Sequence, residues 1–246
     1  MRREIKQYMR ALADLAFPRK CAVCGRFLMQ NEEHICIWCM SDMPLTFSWE
    51  QQHNIFAERL NNVIQNNSEG WEPYSDVFAL FYYSYDNHYQ ELTKEVKYRG
   101  NVKLGNYLGR LMAYRMQQTN TYCNVDMVIP VPLHWTRLLK RGHNQAETIA
   151  AGIANMTGAR LETKLLYRAR KTASQATLTV AEKAKNVSGA FKVNVKRAAK
   201  LTKPTHILIV DDVFTTGATM GWCHKALRDF YGNEVKISCA AVAGVR

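Results

Sequence analysis

No stretch of this 246-residue chain approaches 18 uncharged apolar residues, so the sequence predicts no membrane span. The N-terminus, Met1 to Phe17, is broken by Glu4, Lys6, Arg10 and Asp14, and it lacks the unbroken apolar core of a signal peptide. It reads instead as a short amphipathic helix with Ile5, Tyr8, Met9, Leu12 and Leu15 on one side. Both absences lead to the expectation of a cytoplasmic protein. Low-complexity tracts are missing, and nothing repeats except a pair of cysteine knuckles. Acidic residues are scarce: 21 against 33 Lys and Arg leaves a formal net charge of +12. That balance favours phosphate-rich partners such as nucleotides or nucleic acid, although plain solubility explains any single patch as well. What is present, 47% hydrophobic and 22% charged residues, is a globular composition with room for one sizeable domain and a small one.

The cysteines come first along the chain. Cys21-Ala-Val-Cys24 is followed, after eleven intervening residues, by Cys36-Ile-Trp-Cys39. Two such knuckles can present four thiolates tetrahedrally to one Zn²⁺. The loop between them carries Gly25, Asn31, Glu32 and Glu33, as a turn between two short arms should. A segment this small buries little core, so a metal supplies its folding energy. Four cysteines leave no open position for a reactive water, which makes the expected zinc structural. His34 is an alternative ligand, but an exposed loop histidine is the simpler reading. Redox or disulfide pairs are the competing explanation, and a cytoplasmic setting argues against stable disulfides. Cys123, Cys223 and Cys239 are isolated, and the latter two fall in apolar helix and strand patterns suited to core packing.

The sharpest chemical signal is the run Ile207-Leu208-Ile209-Val210-Asp211-Asp212-Val213-Phe214-Thr215-Thr216-Gly217-Ala218-Thr219. His206 to Val210 suits a buried parallel strand, and Met220 to Phe230 reads as a helix with Trp222, Cys223, Ala226, Leu227 and Phe230 on one buried face. A ligand at this junction sits beyond the carboxyl end of a strand, where open α/β sheets bind ligands. Thr215, Thr216 and Thr219 supply hydroxyls, Gly217 permits a tight turn, and the helix N-terminus adds partial positive charge. Two adjacent acids would repel an anion, so they make sense as acceptors for neutral hydroxyls beside it. The pattern fits a sugar phosphate. The plainer alternative is that Asp212 or Thr215 only caps the helix.

The rest of the chain alternates strands and helices. Phe47 to Tyr74 is polar, with a helical stripe of Phe56, Leu60, Val63 and Ile64, and is expected to connect the cysteine module to the main domain. Val77 to Tyr85 reads as a strand, and Asp86 as the cap of a helix running from about Asn87 to Tyr98, with Gly100 just past its end. Leu104 to Gln118 and Gln145 to Met156 read as helices, Val125 to Val131 and Val235 to Ala243 as strands. His134, Arg137, Lys140, Arg141 and His143 follow the strand ending at Val131, a grouping that suits a polyanion or a solvated basic turn. The sum is an α/β fold with a mainly parallel sheet.

The 206–219 run resembles the PRPP-binding motif of type I phosphoribosyltransferases (PRPP is 5-phosphoribosyl-1-pyrophosphate). From about Phe17 onward, the chain resembles the ComF family of competence-related, phosphoribosyltransferase-like proteins, which carry an N-terminal zinc ribbon. Arg141, Gly142, Asn144, Gln145 and Ala146 match the family's Arg-Gly-Phe-Asn-Gln-Ala signature, with His143 in place of the aromatic. Tyr167 to Leu178 resembles its mobile catalytic loop, with Arg168, Thr172, Gln175 and Leu178 in place. Lys183 stands where the family usually has Arg, which would turn a bidentate phosphate contact into a point charge.

The resemblance implies a zinc-ribbon unit over 1–46, a connector over 47–74 and a type I phosphoribosyltransferase fold over 75–246. It also implies that Asp211 and Asp212 hold ribose hydroxyls and that Thr215, Thr216, Gly217, Ala218 and Thr219 hold the 5-phosphate. His134, Arg137, Arg141, Gln175 and Lys97 would line the PRPP site, pyrophosphate would be bridged by Mg²⁺, and Arg168 and Lys183 would join the two acids in catalysis. Three readings follow: a transferase acting on an unknown acceptor, a PRPP- or nucleotide-binding protein that handles single-stranded DNA with uptake or recombination partners, or a PRPP sensor.

Overall fold

The computed structural model describes residues 17–51, 53–84, 86–169 and 189–246. The helix expected before Phe17 lies outside these residues, as does 170–188, which includes Gln175 and Lys183. The centre is a five-stranded parallel sheet in the order β1-β7-β6-β2-β3. Its strands are β1 (Val77–Tyr83), β2 (Met127–Pro130), β3 (Arg160–Leu161), β6 (His206–Phe214) and β7 (Lys236–Val245). The short strands β4 (Leu166–Arg168) and β5 (Phe191–Val193) pair antiparallel beside it. This is the α/β architecture the sequence predicts.

Both faces of the sheet are buried, which is why its strands read as continuous apolar runs. Phe78, Leu80, Val128, Leu208, Val210 and Ala240 point to one side. There they meet helices α3 (Gln90–Tyr98), α4 (Val102–Met116) and α6 (Gln145–Thr157). Val77, Ala79, Met127, Ile129, Ile207, Ile209 and Ala241 point to the other side. They meet α2 (Ile55–Asn66) and α8 (Ala218–Tyr231). The stripe expected between Phe56 and Ile64 thus forms core: Phe56, Ala57, Leu60 and Ile64 are buried.

Helices α4 and α6 cross at glycines. A Cβ on Gly152 would lie 2.1 Å from the Asn106 carbonyl oxygen and 3.0 Å from the Arg110 nitrogen, both backbone atoms that cannot rotate away. Gly152→Ala is therefore expected to cost about 2–3 kcal/mol through overpacking, read as a lowered urea midpoint; an unchanged midpoint contradicts this packing.

The cysteine module, with α1 (Ile37–Ser41), packs on the α3/α4 side, where Cys21, Val23, Ile35, Cys36 and Met43 join the core. The chain leaving it runs along β1. Leu45 bridges Phe81 antiparallel, with Thr46 N–H donating to Leu80 O at 3.1 Å and Tyr82 N–H to Pro44 O at 2.9 Å. Thr46 and Ser48 hydroxyls both donate to the Ala79 carbonyl.

Three local expectations change. Helix α3 starts at Gln90 after Tyr89, not at a cap from Asp86, and Tyr89 gives no side-chain cap. Strand β6 continues through both acids to Phe214, because Asp211, Val213 and Phe214 stay in register with Ala241, Ala243 and Gly244 of β7. On α8 the buried face includes His224 and Arg228, while Phe230 is exposed and Trp222 is partly buried. His224 can be buried because Ser75 Oγ lies 2.9 Å from its Nε2, and Arg228 because it pairs with Glu72 and donates to the Gly232 and Val235 carbonyls.

Candidate functional site

Adjacent residues on a strand face opposite ways, and β6 uses this at its carboxyl end. Asp212 lies on the α3 side, where its Oδ2 is 3.5 Å from Lys97 Nζ. Asp211 lies on the α8 side, where its charge favours the Arg168 cation and disfavours a thiolate at Cys223. Each acid also orders the backbone: Asp212 N–H donates to Asp211 Oδ1 at 2.8 Å, and Val213 N–H to Asp212 Oδ1 at 3.0 Å. Asp212 Oδ2 is left buried with no hydrogen-bond donor. A buried acceptor without a donor is costly, and a ligand hydroxyl would supply one.

Electrostatics separate the two acids. Burial, reinforced by the neighbouring Asp212 charge, raises the Asp211 carboxyl well above its ordinary range. Lys97 is pushed up by Asp212 first and Asp211 after it, against the cost of its burial. Lys97 therefore remains an ammonium, and Asp211 is the reluctant anion.

The turn after the acids is built around Gly217. Its φ of 77° is left-handed, and a Cβ there would meet Phe214 Cζ at 2.9 Å and Leu60 Cα at 3.4 Å, so glycine alone fits. Gly217 is the N-cap of the 14-residue α8, with Thr216 Oγ1 accepting from Ala218 N–H at 3.4 Å. Thr215, Thr216 and Thr219 thus stand at the positive end of a helix, beyond the carboxyl end of β6.

Basic groups close the same end of the sheet. His134 caps α5 (Trp135–Arg141), its Nδ1 accepting from Thr136 N–H at 3.4 Å and lying 2.9 Å from Thr136 Oγ1. Arg141 donates to Gln145 Oε1 at 3.1 Å and lies 5.7 Å from the centre of the Tyr98 ring, and Lys97 lies 6.0 Å from that centre. Burial first, then Arg141, lowers Arg137; burial first, then Arg137, lowers Arg168. Like charges held this close favour a polyanion among them.

At the other end of α3 the four cysteine sulfurs all lie within 4.8 Å of one another, with Cys24 and Cys36 Sγ 3.8 Å apart. A tetrahedron of about 2.3 Å metal–sulfur bonds has edges of about 3.8 Å, so this donor set fits one metal ion. Burial opposes ionisation of Cys21, but amides of Cys24, Cys36 and Val23 donating to its sulfur prevail and hold the thiol at about 7. His34 stays outside the cluster and is half-buried, its ring 5.4 Å from that of Tyr107.

No protein-family model matches the chain. Competence protein F of Haemophilus influenzae is 22% identical over 231 residues, covering 90% of this chain and 96% of that protein. Over nearly its whole length the chain is thus similar to a competence protein. DNA utilization protein YhgH of Salmonella typhimurium is 28% identical and that of Escherichia coli K12 26%, each over 60% of this chain and 64% of the relative.

The stretch that resembles the ComF-family signature acquires physical roles here. Gly142 ends α5, Asn144 caps α6 and donates to the Val131 carbonyl at 3.1 Å, and Gln145 holds Arg141. His143, where the family has an aromatic, puts Nε2 2.8 Å from the Val96 carbonyl and packs its ring on Gly100. It thereby fastens the basic turn to the last turn of α3, a role sequence reasoning missed; its contact partners are 43 to 47 residues away and leave no local signal. The structure brings Lys97, His134, Arg137, Arg141, Arg168, Asp211, Asp212 and Thr215 to Thr219 to one end of the sheet. Gln175 and Lys183 lie outside the described residues. Among the described residues no helix is long and apolar enough to cross a membrane.

Proposed function

We propose that this ComF-family protein binds PRPP as a phosphoribosyltransferase-like protein serving DNA uptake or competence, and transfers the phosphoribosyl group to an acceptor. The observation that carries the reading is the buried, donor-free Asp212 Oδ2 beside a glycine-capped helix N-terminus. Ribose hydroxyls donate to Asp211 and Asp212, the 5-phosphate rests on Thr215 to Thr219, and Arg137, Arg141, His134 and Lys97 face pyrophosphate. As the C1–O bond to pyrophosphate breaks, positive charge grows on the ribose ring, the acids stabilise it, and the acceptor completes the new bond to C1. Arg168 acts at the reacting centre, and the resemblance adds Gln175 and Lys183 to it. Mg²⁺, arriving with PRPP, would supply positive charge that neutralises the leaving pyrophosphate, beside Arg137, Arg141, His134 and Lys97. The four cysteines hold structural Zn²⁺, and the site works in the cytoplasm. The DNA-uptake role rests on the names of the relatives, competence protein F and DNA utilization protein.

Titrating the zinc-loaded protein with Mg²⁺-PRPP in a calorimeter tests the proposal. Saturable binding is expected; a folded protein that gives no binding heat overturns it. The net charge of +12 favours a second reading, a non-catalytic PRPP- and single-stranded-DNA-binding protein. Salt-dependent binding of an oligonucleotide, without pyrophosphate release on any acceptor, would select it.

A further inference from the structure

Helix α3 has nine residues, too few to be stable alone, and it is fastened at both ends. At its N-terminus the Tyr89 hydroxyl donates to the main-chain carbonyl of Cys39 at 2.8 Å, inside the second cysteine knuckle, while the Tyr89 ring packs 6.1 Å from that of Phe81. Along its length Glu91, Glu95 and Arg99 face Cys21, Val23 and His34 across a cleft of about 340 Å³. At its C-terminus His143 holds the Val96 carbonyl, and Lys97 reaches Asp212. The helix spans about 13 Å between these anchors. A short helix clamped this way, with Leu92, Thr93 and Val96 buried, moves as one body, so a displacement at the knuckle moves Lys97.

We propose that α3 links the metal-binding knuckle to the acid pair, with Tyr89 acting as a positioning residue for Lys97. Metal retention at the cysteines and anion binding beside Asp212 then strengthen each other, and the coupling must be reciprocal. The ligand arm of this proposal rests on the polyanion site described above; the metal arm does not.

The test is the rate at which full-length, zinc-loaded protein yields zinc to a colorimetric chelator. Tyr89→Phe keeps the ring and removes one hydrogen bond, and is expected to speed release about 2- to 10-fold. Lys97→Met, at the opposite end of α3 from Tyr89, is expected to speed it at least twofold. Saturating Mg²⁺-pyrophosphate should slow release in the wild type and not in Lys97→Met. By calorimetry, Tyr89→Phe should weaken pyrophosphate binding in the wild-type background and leave it unchanged in Lys97→Met. Equal release rates in the wild type and both variants overturn the linkage. So does a pyrophosphate effect of the same size in wild type and Lys97→Met, which reports direct chelation. Absence of any pyrophosphate heat removes the polyanion reading instead, and the linkage is then decided by the ligand-free rates.

Discussion

Asp211→Asn/Asp212→Asn is expected to weaken Mg²⁺-PRPP binding about 30- to 100-fold, and Asp211→Asn alone to leave the fold as stable as before or more so. Each acid is assigned a hydrogen bond from a ribose hydroxyl, and bonds to a charged acceptor contribute about 1.5–3 kcal/mol. Asn still accepts a hydrogen bond, but as a neutral group worth about 0.5–1.5 kcal/mol, so the two substitutions remove about 2–3 kcal/mol, and each 1.4 kcal/mol is tenfold. The stability side follows from burial: Asp211 is raised well above its ordinary range by burial first and by Asp212 second, so ionising it works against folding. In the unfolded chain it ionises near pH 3.9. Its folded form keeps the proton to higher pH, so the stability it contributes is complete below that value and is lost as pH rises through the folded value. The melting temperature of Asp211→Asn minus that of the wild type should therefore widen from pH 4 to pH 8. A gap that stays flat, or PRPP binding that survives the double substitution, would remove the acids from the proposed role.

Stripping the metal should be the largest structural perturbation. Cys21 and Cys36 are buried within the same core that holds Leu92, Val96 and Leu104 of α3 and α4, so the knuckles are part of the main packing. Metal binding in small four-ligand modules supplies about 10–16 kcal/mol of folding energy. If a third of that reaches the whole domain, the melting temperature falls by about 10 °C or more. Chelation, or Cys36→Ser, should also open the segment between Cys21 and Cys39 to protease. Metal-free protein, verified by elemental analysis, that melts and digests like the loaded form would refute the structural role.

Much of this was legible because buried parallel strands and amphipathic helices leave periodic patterns. The runs at Val77, Met127, His206 and Lys236 are apolar on both faces, and each became a strand of the central sheet. The double acid stood out because two carboxylates at the end of such a run have no packing purpose. Its register did not: continued pairing with β7 past Val210 depends on a strand more than 20 residues downstream. Burial of His224 was hidden for the same reason, since its partner Ser75 lies 149 residues away. Burial and Arg228 together lower His224 to about 3, so it enters the core neutral, and nothing local to α8 announces that. The apparent cap at Asp86 misled because an acid before a helical pattern is only a local signal, whereas α3 takes its start from Tyr89 docking on Cys39 and Phe81.

The segment Pro44 to Ser48 lies along β1, an outermost strand of the sheet, and occupies its backbone groups at Ala79, Leu80 and Tyr82. That segment is tethered to the metal-binding module five residues upstream. Loss of metal therefore does more than loosen a small appendage: it frees the cover of an apolar strand whose open hydrogen-bonding edge is a template for another chain. A metal held by the four cysteines would then guard solubility as well as shape, and chelated samples should turn turbid with second-order dependence on concentration before the rest of the sheet melts.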